Sequence, residues 1–367
     1  MEIRVSKEDL VNGIQTVQNA VSQKSSLPIL SNVLLESEKG TLKLTATDLD
    51  IGICSTIPVE VLQEGAITVP ARKFFDIVKA LPEGNDVELS MKKNNFVTIK
   101  SGKANFKIIG LPKEEFPQLP LFEDKESVTV AQGVLKNILN LTDFAISRDD
   151  TRYVLNGILM AVKGDKLSVV ATDGRRLAIA SSTLPEKILT DRKAIIPTKA
   201  VQEVKRMLQD EGEVQVKFSE NQVLFSFSDS FILSRLIEGE YPNYNKVIPE
   251  RSSKEIKVSR DEFLSATRRA NIFTDQDSMA IKLSVKKTRM MISKNTPYLG
   301  EAKEEIPVVY TGNDELEIGF NPRYLIDVLK SLDDEEVTFE VKDPGKPGVF
   351  RRGEDYIYVV LPMQLAG

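Results

Sequence analysis

Ile67-Thr68-Val69-Pro70 runs straight into Ala71-Arg72-Lys73-Phe74-Phe75-Asp76-Ile77-Val78-Lys79-Ala80-Leu81, an apolar strand-like segment followed by a helical pattern. Phe74, Ile77, Val78 and Leu81 fall at i, i+3, i+4 and i+7, the spacing of one helix face. The passage occurs twice more. Ile195-Ile196-Pro197 leads into Val201, Val204 and Leu208, and Ile318-Gly319-Phe320-Asn321 leads into Leu325, Val328, Leu329 and Leu332. Pro197 lies 127 residues after Pro70, and Asn321 lies 124 after Pro197. Ala46-Thr47-Asp48 returns as Ala171-Thr172-Asp173, and Phe116-Pro117 as Tyr241-Pro242, each 125 residues on. Solenoid repeats have periods of roughly 20–50 residues, so this period is that of a whole domain. The spacing predicts three similar domains, 1–122, 126–249 and 253–367, with a short acidic hinge at Glu123-Asp124-Lys125-Glu126.

Between the helices the chain reads as strands. Val59-Glu60-Val61, Val87 to Met91, Phe96 to Ile99, Val214 to Phe218 and Val337 to Val341 mostly alternate apolar and polar residues. Lys93-Asn94-Asn95, Ser219-Glu220-Asn221 and Asp343-Pro344-Gly345 supply turns. A first helix opens each copy. Ser6-Lys7-Glu8-Asp9 and Ser259-Arg260-Asp261-Glu262 resemble capping boxes, and Leu10, Ile14, Val17 and Val21 then follow at helical spacing. Strands interrupted by two helices in each repeat place the chain in the α+β class.

Composition excludes much catalytic chemistry. The chain has no histidine and one cysteine, Cys54. Histidine-based relays, Ser-His or Cys-His nucleophiles and His or Cys-cluster zinc sites are therefore out. No Gly-rich phosphate loop is present. No catalytic residues, metal or cofactor are expected. No apolar run approaches a membrane span, and Met1-Glu2-Ile3-Arg4 lacks a signal peptide's apolar region, so no membrane partner and a reducing cytoplasm are expected.

The net charge is −5, against the basic excess usual in a nucleic-acid binder. Charge is nevertheless patterned. Away from the apolar face, each second helix carries a basic pair seven residues apart: Arg72 and Lys79, Lys199 and Arg206, Arg323 and Lys330. Seven residues is nearly two turns, so each pair shares a side. Lys73 and Lys205 stand beside them. One acid lies within each pair, Asp76, Glu203 and Asp327, so the same pattern also describes a solvated, self-paired helix. Three copies with the same excess suit a surface weakly attractive to phosphate.

Five further stretches carry a resemblance: Leu27-Pro28-Ile29-Leu30-Ser31-Asn32-Val33-Leu34-Leu35, Ala171 to Ala178, Tyr241-Pro242-Asn243-Tyr244, Ile318 to Asn321, and Tyr358 to Leu365. Together, in order from Met1 to Leu365, they resemble the bacterial β sliding clamp family, the processivity subunits of DNA polymerase III. The resemblance implies three clamp domains per chain, each with two helices on antiparallel sheet. It also implies a head-to-tail homodimeric ring, with helices lining a central hole that holds double-stranded DNA irrespective of sequence. The DNA-facing residues it implies are Lys24, Arg72, Lys73, Lys79, Arg148, Arg152, Tyr153, Lys199, Lys205, Arg206, Arg323 and Lys330. It further implies a pocket for short linear peptides of the replicative polymerase, the clamp loader and repair proteins. The matching residues are Leu155, Thr172, Gly174, Arg175, Arg176, Leu177, Pro242, Val247, Asn321, Tyr324, Val359, Val360, Leu361, Pro362 and Met363. Read alone, Leu177, Val359 and Val360 are equally core residues. The ring joint it implies involves Phe106 and Ile108 on one side and Ile272 and Phe273 on the other, with Lys103, Lys107, Glu301 and Glu304 at the rim.

Arg175 and Lys246 depart from common family residues, His and Arg respectively, which bears on the ranking of partner peptides. Two other readings compete. One is a carboxylate-dependent hydrolase using Asp48 and Asp173, although acids that recur in register look like turn residues. The other is a paralogous clamp protecting against a clamp-directed inhibitor.

Overall fold

The computed structural model describes residues 1–22, 27–92, 94–120, 122, 127–276 and 278–365. Lys24 and the expected hinge at 123–126 lie outside them. Six α-helices are present among the described residues: α1 (Lys7–Val17), α2 (Ala71–Ala80), α3 (Gln132–Asn140), α4 (Thr198–Met207), α5 (Arg260–Asn271) and α6 (Pro322–Ser331). Ser6 caps α1 by accepting the Asp9 amide at 3.0 Å, and Ser259 caps α5 through the Glu262 amide at 3.4 Å. The second helices bury the anticipated face, with Phe74, Val78, Val201, Val204, Leu325, Val328 and Leu329 all inaccessible or nearly so.

One boundary differs. The α-helical pitch of α1 ends at Val17, and Gln18–Ala20 tightens into a 3-10 turn, leaving Val21 beyond it. The carbonyls of Gln15 and Thr16 accept from the Arg206 guanidinium at 3.2 and 2.7 Å. A side-chain donor thus takes carbonyls that further α-helical turns would have used.

Among the described residues the strands form four antiparallel sheets, grouped in two compact units. Unit 1 comprises Met1–Gly133 with Lys199–Leu236, and unit 2 comprises Val134–Thr198 with Ile237–Gly367. The second repeat is divided between them. In unit 1, strand Ile51–Pro58 of repeat one pairs with Ser230–Arg235 of repeat two, Ile53 opposite Ile232. In unit 2, Arg176–Thr183 of repeat two pairs with Tyr356–Val360 of repeat three, Ala178 opposite Tyr358. Ile53 and Ala178 are 125 residues apart, Ile232 and Tyr358 126, so the same junction is built twice. It merges strands of two repeats into an eight-stranded sheet in unit 1 and a nine-stranded one in unit 2.

Helix α1 packs on the strands Thr41–Thr47 and Ile51–Pro58 of unit 1. Close approach needs Gly13, since a Cβ there would sit 3.0 Å from Leu44 and 3.2 Å from Ile57. In unit 2, α5 packs against α6 and the strands Arg289–Thr296 and Gly300–Pro307. Phe263, Phe320, Phe339 and Phe350 form its aromatic core, with Phe339 and Phe350 stacked at 4.4 Å.

Gly157 opens a strand whose neighbour leaves no room for a side chain. A Cβ there would lie 2.2 Å from the Ile196 carbonyl oxygen, and that backbone is held in the same ladder. Gly157→Ala should lower unfolding free energy by about 1–3 kcal/mol, the range for overpacking. Gly345→Ala, with open space around it, should leave the urea midpoint unchanged.

Candidate functional site

The recurring Ala-Thr-Asp segment is a turn in both copies. Thr172 Oγ1 donates to the Arg176 carbonyl at 2.6 Å and accepts the Gly174 amide at 3.1 Å. Asp173 Oδ1 accepts the amides of Arg175 and Arg176 at 2.9 and 3.0 Å. Thr47 and Asp48 make the same four bonds to Ile51, Leu49, Asp50 and Ile51, at 2.9 to 3.0 Å. Both acids therefore serve backbone donors. No group of three or more His, Cys, Asp or Glu is arranged to hold a metal among the described residues.

In unit 2 this turn forms one wall of an apolar cleft of about 200 Å³. Leu155, Thr172, Gly174, Arg175, Arg176, Leu177, Pro242, Val247, Val359 and Leu361 line it, together with Asn243 and Tyr244. Leu177 and Val359 are opposite each other in the inter-repeat ladder, so the junction itself makes the floor. Beneath lie Leu159, Val170, Ile179, Ile195 and Tyr241. Burial pushes the hydroxyls of Tyr241 and Tyr244 above the ordinary tyrosine value, so both remain neutral donors. Asn243 and Tyr244 are the lining residues that sequence reasoning missed. Tyr244 stands two places after Pro242 in a motif already noted, but only the short helical turn Tyr244–Val247 brings it back over the cleft.

The remaining expected pocket residues stand around this cleft without lining it. Asn321 caps α6 by accepting the Arg323 amide at 3.0 Å. Val360 is fully buried opposite Arg176. Pro362 and Met363 are half-buried, and the Met363 amide donates to the Gly319 carbonyl at 2.8 Å. The Tyr324 ring lies 4.5 Å from the Arg176 guanidinium carbon.

Arg176 ties these parts together. It donates to Asp173 Oδ2 at 3.0 Å, to Asp327 Oδ2 of α6 at 2.7 Å and to the Phe144 carbonyl at 2.5 Å. Burial is the largest influence and opposes its charge, yet Tyr358 and the Asp327 and Asp173 groups more than offset it. Its pKa lies above the ordinary arginine value.

The basic helices differ from copy to copy. Arg72, Lys73 and Lys79 are exposed on α2, with Lys79 5.8 Å over the Phe75 ring. Arg323 and Lys330 are exposed on α6, and Asp327 between them faces Arg176. On α4, Lys199 pairs with Asp48, and Arg206 bonds Glu203 as well as the α1 carbonyls. Self-pairing within the helix thus describes α4 in part, and does not describe α6. Lys205 is half-buried on α4. Arg148 and Tyr153 are exposed, and Arg152 donates to the Asp173 carbonyl at 3.3 Å, beside the cleft turn.

Two edge strands carry the residues expected at the ring joint. Ala104–Ile109 closes the five-stranded sheet of unit 1, with Phe106 39% exposed and Ile108 nearly buried. Gly300–Pro307 closes the four-stranded sheet of unit 2, near Ile272, which is 73% exposed, and half-buried Phe273. Arg269 holds Glu304 there with two bonds of 2.7 and 2.8 Å, and keeps that carboxyl below its ordinary pKa.

Repeated domains joined through shared sheets, an apolar cleft at one junction and cationic helix faces define a clamp-type binding scaffold. Comparison with known proteins agrees. Family models for the N-terminal, central and C-terminal domains of the DNA polymerase III beta subunit match residues 1–120, 129–243 and 245–364. The beta sliding clamp of Escherichia coli K12 is 34% identical over 370 residues, covering all of both chains. That of Chlamydia muridarum is 32% identical over 365 residues, covering 100% of this chain and 99% of its own. The crystal structure of the Bacillus subtilis polymerase sliding clamp superposes with a TM-score of 0.95 at 33% identity, with full coverage of both chains. A Bartonella birtlesii clamp bound to griselimycin superposes with a TM-score of 0.94 at 34% identity, again with full coverage. The chain belongs to the DNA polymerase III beta subunit family, the bacterial sliding clamps. It acts as a clamp conferring processivity and is not a catalyst.

Arg176→Met would leave Asp173 and Asp327 without their shared cation. Breaking such a buried pair costs about 3–5 kcal/mol, less here because Asp327 is about one-third exposed. The expected loss is roughly 2–3 kcal/mol in urea unfolding.

Proposed function

We propose that two copies of this chain close head to tail around duplex DNA, and that the unit 2 cleft takes short peptides of the replicative polymerase, clamp loader and repair proteins. The domains would be 1–122, 126–249 and 253–367, acting in the cytoplasm without a membrane partner. No helix among the described residues is long and apolar enough to cross a membrane.

The observation that carries the ring is the twice-built junction. Repeat one joins repeat two, and repeat two joins repeat three, by the same antiparallel pairing. The edge strands that match the paired ones in register are Ala104–Ile109 of repeat one and Gly300–Pro307 of repeat three. Their ladders place Phe106 in register with Ile232 and Tyr358, and Glu301 with Ile53 and Ala178. Applied a third time, between two copies, the junction sets Phe106 opposite Glu301 and Lys103 across from Glu304. Opposite charges at that rim favour the pairing. Such a heterologous joint closes when two copies supply two of them, and closure leaves neither of these edges open.

Inside such a ring, the exposed cations of α2 and α6 would meet phosphates. A few exchangeable ion pairs keep the ring mobile and indifferent to base sequence. A relative, the Bartonella birtlesii clamp, has been solved bound to griselimycin, so a member of the family takes a ligand.

Sedimentation should give twice the chain mass, and Phe106→Glu should give a folded monomer. Wild-type protein loaded on nicked circular duplex should remain bound and slide off once the circle is cut; equal loss from both would exclude a topological link. Replacing Arg72, Lys79, Arg323 and Lys330 by Ala should flatten the salt dependence of DNA affinity by about 0.9 in log–log slope for each phosphate no longer neutralised.

A further inference from the structure

The junction of repeats one and two carries a groove of its own. It encloses about 640 Å³ between the eight-stranded sheet of unit 1 and the segment 113–120. Leu34, Leu224, Phe231 and Leu233 give it an apolar floor, and Phe116 stands on the segment side. A space of that size is a ligand cleft and not a packing defect.

The junction register shows where this groove departs from the unit 2 cleft. Leu177 faces Val359 in unit 2, and Gly52 faces Leu233 at the same place in unit 1. The room left by the glycine is taken, since a Cβ on Gly52 would stand 2.6 Å from Leu119 Cδ2. Leu119 belongs to Pro117-Gln118-Leu119-Pro120, a stretch without regular structure, and it also lines the groove. One end of the floor thus already holds a leucine presented by a peptide segment of the chain itself. The apolar floor continues beyond it to Leu224 and Leu34.

The rim is charged but balanced. Glu36, Lys43, Lys113 and Glu114 line it, and none has an ion pair or side-chain hydrogen bond among the described residues. Glu36 and Lys43 are opposite each other in their ladder and still do not pair. Two cations beside two anions disfavour a polyanion such as nucleic acid and suit a chain that carries both signs. Thr45, 4% exposed, lines the same groove, and its Oγ1 has no hydrogen bond among the described residues. The Cys54 thiol opposite it is a weak partner. A peptide amide or carbonyl, met by rotation about the Thr45 χ1, would satisfy that hydroxyl.

We propose that this groove is a second peptide-binding site, for a segment with a leucine or aromatic anchor flanked by charges of both signs. The anchor extends the apolar row that Leu119 begins. Flanking side chains pair with the four rim charges, and these exposed pairs together favour binding by about two- to tenfold.

The test is photocrosslinking of full-length protein with a synthetic decapeptide that carries a benzophenone anchor between leucines, flanked by Lys and Glu. Mass spectrometry of the digested protein locates the label. It should fall on the segment 113–120 or the strands Gln222–Ser226 and Ser230–Arg235, and should saturate with peptide concentration. Leu224→Asp, with thermal melting retained, should reduce this label at least about tenfold by placing a charge in the floor. Leu177→Ala, in the unit 2 cleft, should leave it unchanged. Lys43→Glu with Lys113→Glu, both exposed and without partners, should reduce it about two- to tenfold, as should Gln in place of the peptide's Lys and Glu. Absence of saturable label in unit 1, label confined to unit 2, or label undiminished in these variants overturns the proposal. A lower sedimenting mass for Leu224→Asp, with no label on the wild-type groove, overturns it in favour of a second copy of the chain.

Discussion

Backbone pairing between a strand of one repeat and the last strand of the next is the interaction on which the rest depends. Ile53 opposite Ile232 and Ala178 opposite Tyr358 are two instances of one ladder. Each is a cooperative row of main-chain hydrogen bonds with buried side chains between. Such a row cannot slip by one residue without turning its apolar set outward. The junction therefore sets spacing as well as connectivity. It splits the second repeat between two units and brings Leu177 against Val359 to floor the cleft. Of the edge strands, Ala104–Ile109 in unit 1 and Gly300–Pro307 in unit 2 stand in the register of that junction.

Once the junctions are in place, their turns meet helices of the following repeat. Asp48 reaches Lys199 of α4, and Asp173 reaches Asp327 of α6 through Arg176. Equivalent turns have thus acquired opposite electrostatic effects. The first takes a cation out of the basic pair on α4, whereas the second takes the acid out of α6 and leaves Arg323 and Lys330 exposed. The turns also differ in strain. Leu49 is held at φ 80°, where a side chain costs about 1–2 kcal/mol, and Gly174 occupies the matching place at φ 83° without that cost. A side chain at position 174 would press on Arg152, since a Cβ there lies 2.5 Å from its guanidinium. The glycine stands in the copy that forms the cleft.

Much of the fold was legible because its signals are local or repeat along the chain. The apolar faces of α2, α4 and α6 follow from period and turn spacing alone, and the capping serines from their neighbours three residues on. The end of α1 was not legible. Val21 continues the helical spacing, but Arg206, some 190 residues away, claims the carbonyls near the helix end. The cleft residues came from resemblance, and most of them do line one cavity. Asn321 and Val360 instead work as a cap and a buried ladder residue, roles that single-residue chemistry does not distinguish from ligand binding.

Periodicity along this chain was sufficient to establish three copies and their helices and strands, and composition to establish the absence of histidine-based chemistry. The repeats are properties of residue order, readable wherever an apolar side chain must recur to stay out of water. The partner of each charge was settled only by tertiary structure. Asp76, Glu203 and Asp327 stand in one register within similar basic pairs, yet Glu203 turns to Asn19 and Arg206 while Asp327 turns to Arg176. Arg176 and Asp327 are 151 residues apart. A polar group chooses among partners by distance and burial in space, and no local pattern records which one folding will bring within about 3 Å.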